Sequence, residues 1–275
     1  MKKAVASEVI ATEHGLVVVG SKGPGTRVWF LPTKKTRLSE RLNEFTMPWE
    51  PPRESPAALL PSGKLLVVGR DCQSLTVEAD RSPQPGTLIG NAVIEGLSPE
   101  GVAFARGPKF FRYVDGAWVD EGPAEKNSGL SLTERIRARI SSQRSVRAVA
   151  GELAVGADGD AWLGPTWKKL DLKIKARLNC ISGPWIGGDD VVLERKGKTV
   201  KAHKVKGSVT SIAAWGKSAV LLIDEALVDL KGKPIKAPPQ LSSISAHGDT
   251  LWCVSKGALF HTGDLRRWER KALPK

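Results

Sequence analysis

The sequence predicts an all-β fold, a single β-propeller domain over residues 1–275 with seven blades of about four antiparallel strands, six or eight being the alternatives. Three observations predict it. Apolar positions and turn glycines recur about every 32 residues, β-prone stretches of four to six residues alternate with turn signals, and no interval has room for a crossover helix. One four-stranded sheet cannot bury both of its faces alone. Sheets stacked around an axis bury each other and leave only short edges.

The repeat is clearest in the second half of the chain, where segments starting at Ser145, Arg177, Ser208 and Gln240 align. Each opens on a short alternating strand, turns at a glycine, continues through a second apolar strand and closes on strands ending in Trp or Ile followed by basic residues. The inward positions Val149, Ile181, Ile212 and Ile244 are spaced 32, 31 and 32 residues apart, and the turn glycines Gly151, Gly183, Gly216 and Gly248 are spaced 32, 33 and 32. The same template finds three earlier units, around Gly15, Gly63 and Gly101. Their longer intervals place two insertions between repeats, near 37–55 and 122–144. In the last unit, Leu251, Cys253 and Ser255 alternate with Trp252 and Val254, so both faces are largely apolar, as a sheet held between two neighbours requires.

Composition agrees. The chain has 28 glycines and 18 prolines, hence many turns and short elements. Its 42 Lys and Arg against 29 Asp and Glu leave a net charge of +13, which favours anionic partners. The start is a poor secretory signal, interrupted by Ser7, Glu8 and Glu13, and no run approaches the ~18 apolar residues of a membrane span. Cys72, Cys180 and Cys253 are odd in number, far apart and without CxxC spacing. They read as reduced, buried thiols, and the expected location is the cytoplasm.

The last unit carries a further pattern in GALFHTGDLRRWER, where Thr262 is followed two residues on by Asp264 and the hairpin closes on Trp268. This resembles the Asp-box of bacterial neuraminidase-repeat propellers, a superfamily related to WD-repeat-like propellers. GPTWKKLDL and DGAWVDEG retain only the closing aromatics, Trp167 and Trp118. The resemblance implies a propeller in which this box is a structural hairpin on the rim, far from any catalytic centre. A sialidase of that pattern would need an arginine triad and a Tyr nucleophile. The one tyrosine, Tyr113, reads as packing beside Phe110 and Phe111.

The search for chemistry nominates no catalytic residue, metal site or cofactor. His14 and His203 fall in different units, His247 and His261 stand far apart in the last one, and no HxH, HExxH or HxxxH pair occurs. Asp158 with Asp160, and Asp189 with Asp190, have hairpin-turn spacing and lack the further carboxylates of a calcium loop. GSKGPG at Gly20–Gly25 has no helix after it to bind phosphate.

Charge is concentrated. From Gly164 to Gln240 there are fifteen Lys and Arg and seven Asp and Glu. Lys196, Lys198 and Lys201 belong to strands where lysines alternate with apolar residues, which makes either a basic stripe or the usual guard of an edge strand. The second insertion projects Arg135, Arg137, Arg139, Arg144 and Arg147 from one place. Its Ser131 and Glu134 have capping-box spacing and Leu132, Ile136 and Ile140 recur every fourth residue, yet 135–140 also alternates as a strand would, so helix and strand both fit. Arginine suits bidentate contacts to carboxylate or phosphate. In the first insertion Trp49, among prolines, is either a loop residue packed on the body or a partner anchor.

The expected function is non-catalytic recognition: a scaffold, favoured as a monomer, that binds an acidic protein partner as an assembly subunit or an immunity-type inhibitor. Arg135, Arg137, Arg139, Arg144, Arg147, Lys196, Lys198, Lys201 and Trp49 are the candidate contacts. The alternatives are a nucleic-acid-binding propeller, which lacks obvious aromatic stacking motifs, and an enzyme with a loop-built site.

Overall fold

The computed structural model describes residues 4–273 apart from 23–24, 33–45, 53–54, 61, 78–83, 87–88, 90–92, 106–108, 124–145 and 198. The second insertion, with Arg135, Arg137, Arg139 and Arg144, and most of the first therefore lie outside the described residues, as does Lys198. Every element described is a strand. No helix among the described residues is long and apolar enough to cross a membrane.

The strands form six sheets. The first holds β1 (Val5–Thr12), β2 (Gly15–Ser21) and β3 (Thr26–Pro32), and the second β4 (Ala57–Leu59), β5 (Leu65–Val68), β6 (Ser74–Val77) and β7 (Gln84–Pro85). The third holds β8 (Ile94–Leu97), β9 (Val102–Ala105), β10 (Lys109–Val114) and β11 (Ala117–Pro123). The fourth holds β12 (Val146–Ala150), β13 (Leu153–Gly156), β14 (Ala161–Leu163) and β15 (Lys168–Leu170). The fifth has five strands, β16 (Leu178–Ser182), β17 (Trp185–Lys196), β18 (Thr199–Trp215), β19 (Ser218–Ile223) and β20 (Ala226–Asp229). The last has β21 (Leu241–His247), β22 (Thr250–Ser255), β23 (Ala258–Thr262) and β24 (Glu269–Lys271). Each is an antiparallel meander, as short strands joined by tight turns must be.

Seven separate blades are not formed. The repeat units beginning at Arg177 and Ser208 share one sheet, because β18 runs without a break from pairing with β17 (Lys196↔Thr199 to Asp189↔Ser208) to pairing with β19 (Val209↔Ile223 to Trp215↔Ser218). The repeat period, visible in sequence, counts hairpins and not sheets. All seven turn glycines, Gly15, Gly63, Gly101, Gly151, Gly183, Gly216 and Gly248, do adopt positive φ at the first hairpin of their unit.

Apolar clusters fill the gaps between successive sheets. Val17, Phe30, Leu65 and Val67 join the first to the second, Leu66, Ile94 and Phe111 the second to the third, and Phe104, Phe110, Trp162 and Trp167 the third to the fourth. Leu153, Val155, Ile186 and Leu193 join the fourth to the fifth, and Leu222, Leu227, Ile244 and Leu251 the fifth to the last. Within the fifth sheet, Trp185 and Val192 of β17 pack against Ile212 and Leu221. The ring closes where Val9, Leu16, Val18 and Trp29 of the first sheet meet Val254 and Leu259 of the last. Among the described residues no strand is exchanged across that seam. It is held by packing and by Ala6 N–H to Gly257 O at 2.9 Å, Val9 N–H to Ser243 Oγ at 3.3 Å, Ala11 N–H to Ser245 Oγ at 2.9 Å and Ser242 Oγ–H to Ser7 O at 3.2 Å.

Candidate functional site: the axial cavity and the basic outer strands

Five of the six sheets share a local defect in their innermost strands. Register slips by one residue between Ala6 and Glu8, Ile94 and Gly96, Val146 and Ala148, Leu178 and Cys180, Val209 and Ser211, and Leu241 and Ser243. The extra residues are Ser7, Glu95, Arg147, Asn179, Thr210 and Ser242, every one polar. A bulge leaves one residue unpaired and re-aims its side chain. The cause is legible locally. In each strand two apolar residues three apart are buried or packed against the core, such as Val146 with Val149 and Leu241 with Ile244. In an unbroken strand of period two they would face opposite sides. The bulge resets the phase and leaves a polar residue between them.

Five of these six residues, all but the buried Glu95, line a cavity of about 440 Å³ on the ring axis, to which five of the six sheets contribute, with Ser55 from the segment before β4. Three of the hydroxyls there spend their hydrogen on backbone carbonyls: Ser7 on Val19 O at 3.1 Å, Thr210 on Leu222 O at 3.3 Å and Ser242 on Ser7 O. Asn179 donates through Nδ2 to Asp189 Oδ1 at 3.1 Å, Ser208 Oγ at 3.2 Å and Val209 O at 3.3 Å, while Ser208 donates to Asp189 Oδ1 at 2.6 Å. The Ser208 hydroxyl, then Asn179 and the charges of Arg177 and Arg147, hold the Asp189 carboxyl below the usual carboxylate range against its partial desolvation. Arg147 lines the cavity, and its Nε is buried with no hydrogen-bond partner among the described residues.

Of the candidate contacts singled out in the sequence, the described ones are Arg147, Lys196, Lys201 and Trp49, and they lie on different parts of the ring. Arg147 sits on the innermost strand of the fourth sheet, while Lys196 and Lys201 are exposed in the outer hairpin of the fifth. Lys196 pairs with Glu194 at 2.8 Å, which, with His203, lowers the Glu194 pKa. Lys201, Lys204 and Lys206 are exposed in β18, Lys168 in β15, and Arg270 and Lys271 in β24. Trp49 is partly buried against the core between the first two sheets and covers Gly69, whose added Cβ would lie 3.1 Å from Trp49 Cβ.

Thr262 and Asp264 close a turn on themselves. Thr262 Oγ1 accepts from Leu265 N–H at 3.0 Å, and Asp264 Oδ1 accepts from Arg266 and Arg267 N–H at 2.8 and 2.9 Å, which lowers the Asp264 pKa. Trp268 donates from Nε1 to Lys236 O of the preceding sheet's last loop at 2.9 Å. The closing aromatics of two other units do the same kind of work: Trp118 Nε1 donates to Ser74 Oγ at 3.0 Å and Trp167 Nε1 to Glu121 Oε2 at 2.5 Å, each reaching the preceding sheet. Tyr113 packs edge-on against Trp118. The aspartate pairs are tied into the fold, Asp160 by Lys169 at 2.9 Å and Asp190 by Gly207 N–H at 2.8 Å. Among the described residues no group of three or more His, Cys, Asp or Glu is gathered as for a metal ion.

The sequence reading missed the bulge residues Ser7, Glu95, Asn179, Thr210 and Ser242. The signal was present: Arg147, Asn179, Thr210 and Ser242 are themselves 32, 31 and 32 apart, each two residues before an inward apolar position.

No family model and no curated protein matches the chain. Solved structures do. BBS1N, crystallised in complex with ARL6DN, matches with a TM-score of 0.57 and 11% identity over 100% of this chain and 94% of that one. The WD40 β-propeller domain of Doa1 matches with 0.53 and 11% over 94% and 92%. The fold is a β-propeller. The propeller also matches the extracellular domain of the one-component system protein BT4673 of B. thetaiotaomicron, with 0.56 and 11%, where it covers 94% of this chain but 38% of that longer one. At 11% identity the likeness is one of fold.

Proposed function

We propose that this propeller is a non-catalytic recognition module that binds an acidic protein partner through its outer strands. The observation that carries this reading is the set of exposed Lys168 in β15, Lys201, Lys204 and Lys206 in the first half of β18, and Arg270 and Lys271 in β24, on three successive sheets, the first four of them in the part of the chain with the greatest excess of positive charge. A rigid ring with a charged rim gives a partner an extended, preorganised surface, and the charge steers association. The complexed neighbour BBS1N is a propeller crystallised with a partner, which supports the class of function and not the identity of the partner. Arg135, Arg137, Arg139, Arg144 and Lys198 belong to the same proposal as additional contacts. The Thr262–Asp264–Trp268 hairpin serves in it as an Asp-box-like structural turn. Cys72, Cys180 and Cys253 form no disulfide, which suits a reducing, cytoplasmic setting.

The test is isolation of the tagged protein from its own cells, with and without nuclease, beside a variant carrying Lys201→Glu, Lys204→Glu and Lys206→Glu. A stoichiometric acidic protein that survives nuclease and is lost from the triple variant supports the reading. Nucleic acid in its place, with binding that falls steeply between about 50 and 200 mM salt, overturns it in favour of phosphate recognition.

A further inference from the structure

The axial cavity has a chemistry of its own, separate from the rim. At about 440 Å³ it lies within the size range of small-molecule sites, and its wall is asymmetric. Arg147 supplies a guanidinium whose Nε is buried without a hydrogen-bond partner among the described residues, a costly arrangement for a charged donor unless a ligand completes it. Asp189, the carboxylate near Arg147, is already held by Ser208 and Asn179 and is flanked by Arg177 as well, so one positive charge is left over on this side. Elsewhere on the wall the hydroxyls of Ser7, Thr210 and Ser242, like that of Ser211, which donates to Ile244 O at 3.1 Å, have spent their hydrogens on the backbone. What they turn to a ligand is lone pairs, that is, acceptors. Glu8 adds a carboxylate from the first sheet, three sheets away from Arg147 in either direction around the ring.

One cationic donor faced by a ring of acceptors matches a small molecule with one anionic group and several hydroxyl donors. We propose that the axial cavity binds a small polyhydroxylated organic anion, its carboxylate or phosphate on Arg147 and its hydroxyls on the bulge-residue oxygens. The recurring bulge is the device that makes the site, since it turns a polar residue to the axis from five strands of four sheets.

Isothermal titration of the full chain with gluconate, glucose 6-phosphate and uncharged glucose tests this. One-to-one binding of gluconate or of glucose 6-phosphate is expected, with glucose at least about tenfold weaker. Gluconate alone assigns a carboxylate ligand, and glucose 6-phosphate alone a phosphate. Arg147→Gln is expected to weaken the anion at least about tenfold, and Arg147→Lys, which keeps the charge but loses the planar fork, to fall between; circular dichroism of both variants guards against misfolding. Cys180 lines the cavity while Cys72 and Cys253 are buried, so bound anion is also expected to slow alkylation of Cys180 in the wild type. Failure of both anions to bind at up to about 10 mM, equal binding of glucose, or undiminished binding by folded Arg147→Gln overturns the proposal.

Discussion

Trp167 shows how one side chain fastens two sheets. It is fully buried, stacks on Phe110 with ring centroids 3.9 Å apart, and donates to Glu121, whose other oxygen accepts from Arg112 Nε at 2.6 Å. Trp167→Ala removes the packing and the hydrogen bond together and is expected to cost about 3–5 kcal/mol in urea unfolding. Trp167→Phe keeps most of the stack and leaves Glu121 one donor short, for about 1–3 kcal/mol. The cysteines give a second prediction at this scale. Burial pushes the Cys253 thiol up to about 12, so it is protonated at pH 8 and is expected to resist iodoacetamide in the native protein and to react once unfolded. Asp189 gives a third. Its folded pKa lies below the ordinary value, so its contribution to stability is complete above the unfolded pKa near 4 and is lost as pH falls through the lower folded value. Asp189→Asn is expected to be less stable than the wild type at neutral pH and to converge with it in acid, as measured by denaturant titration at a series of pH values.

At the scale of the element, hairpin turns and bulges divide the work. Gly248 has φ +56° and open space around it, so Gly248→Ala meets only the backbone penalty of the left-handed region, about 1 kcal/mol. Gly15 has φ +147°, and a Cβ there would lie 2.5 Å from Leu31 O and 2.7 Å from Pro32 Cα. Gly15→Ala is therefore expected to be clearly the more destabilising of the two, a comparison that thermal melts settle directly. These turns were legible in the sequence because the glycines keep their period. The closing tryptophans were legible too, although their role as ties to the preceding sheet depends on acceptors as unlike as a serine hydroxyl, a carboxylate and a backbone carbonyl, which no motif encodes. The bulges escaped notice because only one inward position per strand was read: Ile181 was placed inward, and the phase slip at Asn179 that lets Leu178 reach the core as well went unmarked. Arg147 was read as a partner contact with no sign of the axis, and its place in β12 on the cavity wall depends on the packing of the sheets around the ring.

For the whole molecule, the sequence repeat foretold the architecture but overstated the number of sheets, since nothing in a period distinguishes two hairpin sets joined by a turn from two joined through one continuous strand such as β18. The architecture separates two surfaces, an outer one carrying lysines and an axial one lined by the bulge residues, and both depend on the ring being closed. Closure rests on a seam with no exchanged strand among the described residues. The amides of Ala6, Val9 and Ala11 lie on the first sheet but donate to Gly257 O, Ser243 Oγ and Ser245 Oγ of the last, so their protection reports the seam and nothing else. Native-state hydrogen exchange at these three amides is the most direct measurement. A closed ring predicts that they exchange only as slowly as the core amides of β2 and β22, through global unfolding. Rapid exchange at all three while β2 and β22 remain protected would mean that the first and last sheets do not meet, and would contradict the closed ring on which both proposed surfaces rest.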